Sequence, residues 1–419
     1  MRKSYARVHF SFTNSDRNIP EPSSGMYGGK GMKIIGMISG TSYDGMDIAC
    51  CEFEQVGDTI EIKQIGFESV EYTSELHDLI ADSMPPREIT MERVCILDTR
   101  IAQEFSKAAQ AAMKRFDFQP DLIVSHGQTL FHWIDAEHKA KGTLQLGEPS
   151  WIAEQTGVSV LSNIRSRDVA AGGHGAPLVS TLDHLLFNAS ENPEGALNLG
   201  GISNITVAGK GLTSIAYDIG PANGLMDAAI FAFTKGAKSF DDGGAVAASG
   251  VVDQGLLRRF LSEPYYALPA PKSTGKELFH LQYIIEYAGE IDTWNIANLM
   301  ATLLELTVES VAREVEKFKL AKLYVAGGGS ANPVLMARLS ARLTSCEVLS
   351  MGVLGVDPRA KEGVTFALIG FLTMHGHAGQ VPSCTGASGE RILGSLTPGA
   401  NGFHVPAANP VKPVRVRII

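Results

Sequence analysis

The chain lacks the marks of several large functional classes. Its five cysteines, Cys50, Cys51, Cys95, Cys346 and Cys384, form no CxxC pair. An odd count without that spacing suggests neither a disulfide framework nor a zinc site, and a reducing cytoplasm fits. No run is long and apolar enough to span a bilayer. Positive charge is also scarce: the net charge is −9, which argues against nucleic acid or an anionic membrane surface as a partner. There is no GxxxxGK followed by Ser or Thr, no HRD or DFG pair, no GxSxG and no HExxH. P-loop, protein-kinase, serine-hydrolase and zincin chemistry are thereby set aside.

What remains is a globular composition, 44% hydrophobic and 19% charged over 419 residues. That length makes two domains the default. Residues 1–31 are polar and lack the apolar core of a secretory signal. They read as a disordered extension or a start-site artefact, with Met32 as the start. The cleanest boundary, Asn192-Pro193-Glu194-Gly195, divides residues 32–194 from 195–374. Residues 375–419 form a closing segment whose Pro- and Gly-rich tail, from Pro398, is expected to be loosely ordered.

The chain is organised around Gly36–Glu52. Two apolar, β-branched runs flank Ser39-Gly40-Thr41-Ser42-Tyr43-Asp44-Gly45, which predicts a hairpin. Glycines and hydroxyls at such a turn bring donors close to a phosphate, and Asp44 or Asp47 could hold magnesium directly or through water. An ordinary hairpin loop would use the same residues. Ile60–Val70 completes a meander. After a helix over Leu97–Phe116, Leu122–Val124 reads as a short buried strand ending in Ser125-His126-Gly127-Gln128-Thr129, where open α/β sheets place ligands. A structural histidine is the alternative for His126. The Asn163–Pro177 run, with two arginines, Asp168 and three glycines, reads as a polar-ligand loop in preference to a solvated turn.

The opening pattern then returns. Ala196–Leu199, Gly200-Gly201 and Ile202–Ala208 predict a second glycine-turned hairpin, and the pair suggests a duplicated architecture. The stretch Ile215–Gly224 reads as a strand ending on Asp218, with a helix from about Leu225 to Phe233 after it; the acid reads either as a catalytic base or as the cap of that helix. Lys272 and Lys276, in an irregular connection, read as anion-steering or as solvated charge. Ile296–Lys317 is the clearest helix, and its apolar stripe reads as core. Lys322–Ala326, Gly327-Gly328-Gly329 and a helix opened by Asn332-Pro333 make a surface that a nucleotide can approach closely. Glu362 stands at a helix start, either as chemistry or as a favourable dipole charge.

Together these segments resemble the two-lobed actin, hexokinase and Hsp70 superfamily: an α/β, ribonuclease H-like fold with a duplicated mixed sheet flanked by helices. Within it, the blocks SGTSYDGMD (39–47), SHGQT (125–129), LQLG (144–147), RSRDVAAGGHGAPLV (165–179), NLGGISN (198–204), YDIGPAN (217–223), APKSTGKE (270–277), GGGSANPVLMARL (327–339), KEGVTFA (361–367) and TGAS (385–388) are similar to the anhydro-N-acetylmuramic acid kinase family. The resemblance runs from Met32 to about Gly399.

It implies an enzyme of cell-wall sugar recycling that uses ATP, Mg2+ and water. The 1,6-anhydro bridge opens, O6 is phosphorylated, and the product is N-acetylmuramic acid 6-phosphate. By motif position, Asp218 is the general base and Glu362 assists at the sugar. Gly40, Thr41, Ser42, Tyr43, Asp44, Gly45, Met46 and Asp47, with Gly200 and Gly201, grip the ATP phosphates and the metal, and Gly327, Gly328 and Gly329 lie by the adenosine. His126, Arg165, Asp168 and Asn223 fall on the sugar side. A homodimer is implied.

The chain departs from the family pattern at Asn163-Ile164-Arg165, where Asp-Phe-Arg is usual, at His174 for glutamine and at Ala222 for glycine, all expected near the sugar. A kinase for levoglucosan, which lacks the lactyl and N-acetyl groups, is the alternative within the fold. A non-enzymatic sugar-binding regulator is the alternative outside catalysis, and no helix-turn-helix supports it.

Overall fold

In the computed structural model, thirteen strands among the described residues form two sheets of matching order. The residues described are 31–419 except Thr41, Ser42, Asp44, His138, Lys276 and His404. The expected N-terminal extension, and Thr41, Ser42 and Asp44 of the first turn, therefore lie outside the described residues. The strands are β1 (Met32–Ser39), β2 (Gly45–Val56), β3 (Thr59–Glu71), β4 (Leu122–Ile134), β5 (Ala140–Leu146), β6 (Val160–Ser162), β7 (Glu194–Leu199), β8 (Ile202–Ala208), β9 (Ile215–Pro221), β10 (Lys322–Ala326), β11 (Glu347–Ser350), β12 (Ser395–Thr397) and β13 (Arg415–Ile418).

In the first sheet, β1, β2 and β3 make an antiparallel meander, β4 runs parallel to β1, and β6 runs parallel to β4. The second sheet repeats this with β7, β8 and β9 as the meander and β10 and β11 as the parallel strands. Two sheets built on one strand order are the duplicated mixed architecture that the paired hairpins suggest.

Strand alternation divides the side chains among three cores. On β1, Ile35 and Met37 pack with the helix Met91–Arg115 on the outer face, while Ile34 and Ile38 face the space between the sheets. Burial on both faces explains why β1 reads as a continuous apolar run. The helix Ile296–Phe318 buries Leu299, Leu303, Leu306, Val311 and Val315 against the outer face of the second sheet. Each such side chain contributes about 1.5–3 kcal/mol. Between the sheets lie the helices Ser180–Phe187 and Lys361–Met374, whose apolar residues share one core with strands of both sheets.

Helix Lys361–Met374 reaches that position through glycine. A Cβ on Gly36 of β1 would stand 2.0 Å from the carbonyl oxygen of Gly363 and 2.7 Å from the amide of Ala367. The helix therefore rides on bare backbone. Gly36→Val is expected to cost about 1–3 kcal/mol by overpacking, read as a lower denaturation midpoint.

The structure differs from the sequence reading in four places. β4 does not stop at Val124 but continues to Ile134 and pairs with β5, so His126 and Gln128 lie within a strand. Helix Lys361–Met374, assigned to the second half, packs on the first sheet. The tail from Pro398, expected to be loosely ordered, supplies β13, parallel to β3. Finally, residues 31–419 form one compact unit, so the division near Asn192 separates sheets within one body. Among the described residues no helix is long and apolar enough to cross a membrane.

Candidate active site

The turn after β1 is closed by side chains from β1 and β4. The hydroxyl of Ser39, fully buried, lies 2.6 Å from both the Gly45 carbonyl and Oε1 of Gln128, which share its one proton. Gln128 donates from Nε2 to the Gly40 carbonyl at 3.0 Å. The Tyr43 amide reaches the same Gly40 carbonyl at 3.3 Å, and Tyr43 holds φ at +53°. The SHGQT block thus tethers the first hairpin. Gln128 is a site residue that sequence reasoning passed over, although its motif was in view.

Asp47 lies opposite Ile38 on β1 and Ser69 on β3, and its carboxylate accepts from the Ser69 hydroxyl. Alternation puts it on the face of Ala49 and Cys51, toward the space between the sheets. Glu362, in the first turn of helix Lys361–Met374, is close enough for the two charges to interact. Burial pushes the Glu362 carboxyl above the usual range and Asp47 pushes it further, while Arg165 and Lys361 oppose them. A group serving only as a dipole charge would not be desolvated in this way.

Arg165 joins Glu362 to a second cluster. Its Nε donates to Nε2 of His126 at 2.7 Å, and its Nη1 donates to the Gly175 carbonyl at 2.6 Å. Nδ1 of His126 bonds the Gly127 carbonyl at 2.9 Å, which fixes the tautomer with the proton on Nδ1. Burial and the Arg165 charge hold His126 well below its ordinary value, so it is neutral. Burial lowers Arg165 to about 10, against the pull of Glu362 and Asp168.

Asp168 is fully buried. Its Oδ2 accepts the Gly175 amide and its Oδ1 the Thr385 hydroxyl, each at 2.7 Å. Both oxygens are engaged by protein, so Asp168 shapes the Gly172–Gly175 loop that carries His174. Of the residues expected on the sugar side, the structure brings His126, Arg165 and Asp168 together.

Asn223 is elsewhere. It opens the helix Asn223–Phe233, its amide bonds the Gly200 carbonyl at 2.9 Å, and its side chain donates to the Leu199 carbonyl at 3.3 Å. Gly327–Gly329 meet the same turn. Gly327 has φ of +81°, and a Cβ there would stand 2.6 Å from Oδ1 of Asn198 and 2.8 Å from the Leu199 carbonyl. Only glycine suits that backbone and that approach. Ala222 belongs here too, with its amide 3.0 Å from the Gly201 carbonyl.

Asp218 stands on β9 opposite Asn204, on the face of Ala216, which packs on Val381 and Cys384. It caps no helix: the residue at the cap position is Ala222. Oδ2 of Asp218 accepts the Ser273 hydroxyl at 2.8 Å and the Thr274 amide at 3.0 Å. Burial raises the carboxyl above its usual range, these two donors pull it down, and Glu277 adds to the rise. Lys272, a candidate for steering anions, instead donates to the Tyr265 and Tyr266 carbonyls at 3.1 and 3.2 Å.

The segment Asp357–Glu362 links the two sheets. The Gly327 amide donates to the Pro358 carbonyl at 3.2 Å, and the Asp357 amide donates to Gln64 of β3 at 3.2 Å. The glycine turn of the second sheet and Glu362 thus belong to one connected stretch.

The profile of the anhydro-N-acetylmuramic acid kinase family matches residues 32–399. A relative of that name from Rhodococcus erythropolis is 46% identical over 395 residues, covering 92% of this chain and 99% of its own. One from Streptomyces coelicolor is 46% identical with the same coverage, and one from Synechococcus elongatus is 36% identical over 87% of this chain and 99% of its own. With a profile match across most of the chain and relatives covered almost end to end, the chain belongs to the anhydro-N-acetylmuramic acid kinase family.

Proposed function

We propose that this enzyme opens the 1,6-anhydro bridge of anhydro-N-acetylmuramic acid with water and transfers the γ-phosphoryl group of ATP to O6. The observation that carries this reading is shared orientation. Asp47 on β2, His126 on β4 and Asp218 on β9 all occupy strand faces turned toward the space between the sheets. Glu362 and Arg165 stand beside the first two.

Asp218 takes a proton from water as the water oxygen bonds to the anomeric carbon. The bond from that carbon to O6 breaks, O6 bonds to the γ-phosphorus, and ADP departs. Phosphoryl transfer asks chiefly for positioning and charge stabilisation. The first turn, tethered by Ser39 and Gln128, and the second turn at Gly200–Gly201 supply main-chain donors for the phosphates. Gly327–Gly329 give the adenosine a surface without side chains. Glu362 orients Arg165 toward the sugar, with neutral His126 fixing the guanidinium from its other side.

The donor set suits magnesium. The Asp47 charge lies close enough to raise the Glu362 carboxyl, an arrangement that a hard divalent cation relieves. Asp47 would hold the ion, through water, and the ion when bound offsets charge on the phosphate oxygens.

ADP release coupled to an indicator reaction tests the substrate. Anhydro-N-acetylmuramic acid is expected to be turned over with a higher kcat/KM than levoglucosan. Faster turnover of levoglucosan overturns the assignment, and ADP release that neither sugar stimulates overturns the kinase reading of the site.

A further inference from the structure

Residues 264–277 are built around Asp218 to a degree that surface connections rarely show. The loop holds the Asp218 backbone on both sides: the Asp218 amide donates to the Lys272 carbonyl at 2.9 Å, and its carbonyl accepts the Tyr265 hydroxyl at 2.7 Å. Lys272 pins the loop to itself, its ammonium bonded to the Tyr265 and Tyr266 carbonyls and lying 4.6 Å from the Tyr265 ring centroid. Ser273 and Thr274 then meet the carboxylate, and both bond the same oxygen, Oδ2. Oδ1 accepts no hydrogen bond from the described residues.

We propose that Ser273 and the Thr274 amide are positioning groups for the base, holding Oδ2 so that Oδ1 alone is presented to the water that attacks the anhydro sugar. The proposal rests on the reading of Asp218 as that base. A carboxylate with one oxygen anchored has lost rotation about its last torsion, and its free lone pairs point in one direction. The two donors also favour the ionised form in a site where desolvation disfavours it. The other groups facing Asp218 do not replace them. Glu277 is a like charge. The Tyr265 hydroxyl is spent on the Asp218 carbonyl, and the Lys272 ammonium on two carbonyls. Glu314, behind β9, is engaged by the Tyr217 hydroxyl and Lys317.

The test compares Ser273→Ala, Ser273→Thr and Asp218→Asn in the full-length enzyme with ATP and anhydro-N-acetylmuramic acid. Ser273 is exposed, so truncation leaves the fold intact, and a melting curve checks this. Ser273→Ala is expected to lower kcat about tenfold, the loss of one hydrogen bond to a charged group. KM for either substrate stays within about twofold, since Ser273 bonds only the base. The acidic limb of the kcat/KM profile moves to higher pH, because the ionised carboxylate has lost a donor. Ser273→Thr, which keeps the hydroxyl, restores both kcat and the position of the limb.

An unchanged limb and kcat in Ser273→Ala, with Asp218→Asn inactive, overturns the positioning role and leaves Asp218 as base. Substantial turnover by Asp218→Asn overturns the underlying assignment instead.

Discussion

Asp218→Asn is expected to lower kcat by about 10²- to 10⁴-fold, the usual contribution of a general base, while nucleotide affinity measured by calorimetric titration stays within about threefold of wild type. The substitution is nearly isosteric. Its amide oxygen can still accept from Ser273 and Thr274, so the loop that clasps β9 keeps its seat. The nitrogen that replaces Oδ1 cannot take a proton from water. Binding is expected to survive because the glycine turns at Gly200–Gly201 and Gly327–Gly329 are held by their own bonds to Asn223 and Pro358, neither of which involves Asp218. The pH dependence has a defined sign. As the proposed base Asp218 would act ionised, and burial lifts its carboxyl above the ordinary range. Activity is therefore full on the alkaline side and falls as pH drops through that raised value. A kcat within tenfold of wild type would remove Asp218 from the chemistry.

The hairpins and glycine turns were legible in the sequence because backbone that must approach other backbone leaves a compositional trace. Gly327 has both a positive φ and a neighbour that a Cβ would strike, and three consecutive glycines announce such a place. The long helix at Ile296–Phe318 was legible from its stripe, and the strand-ending acid at 218 from its position.

What could not be read was pairing between residues far apart in the chain. In the sequence β4 reads as ending at Val124 because polar residues follow, yet His126 and Gln128 are buried there, satisfied by Arg165 and Ser39. Nothing local in SHGQT states that those partners will arrive. β13 was obscured by its Pro- and Gly-rich surroundings, although four residues suffice to add a parallel edge to β3. Ser273 and Thr274 lay in a noticed motif, but its lysines drew the chemical reading. A hydroxyl and an amide become informative only once a carboxylate is known to sit 2.8 and 3.0 Å away.

The second large effect is on stability and lies one residue from Glu362. Lys361 is paired with Asp183 of the helix Ser180–Phe187, with Nζ 2.8 Å from Oδ1 and 2.9 Å from Oδ2. Both residues are buried, at 3% and 1% exposure. Lys361→Met is expected to lower unfolding free energy by about 3–5 kcal/mol, because it strands a carboxylate in the core between the two sheets. The double variant Lys361→Met with Asp183→Leu is expected to recover most of that loss, since two apolar side chains of similar bulk need no desolvation of charge. Denaturant titration of the two single variants and the double variant gives the coupling directly. A loss below about 1 kcal/mol in Lys361→Met, the range of a solvated surface pair, would show that the pair does not bind the two inner helices together. Glu362 would then owe its place to the apolar packing of its helix and to the contact of Gly363 with Gly36.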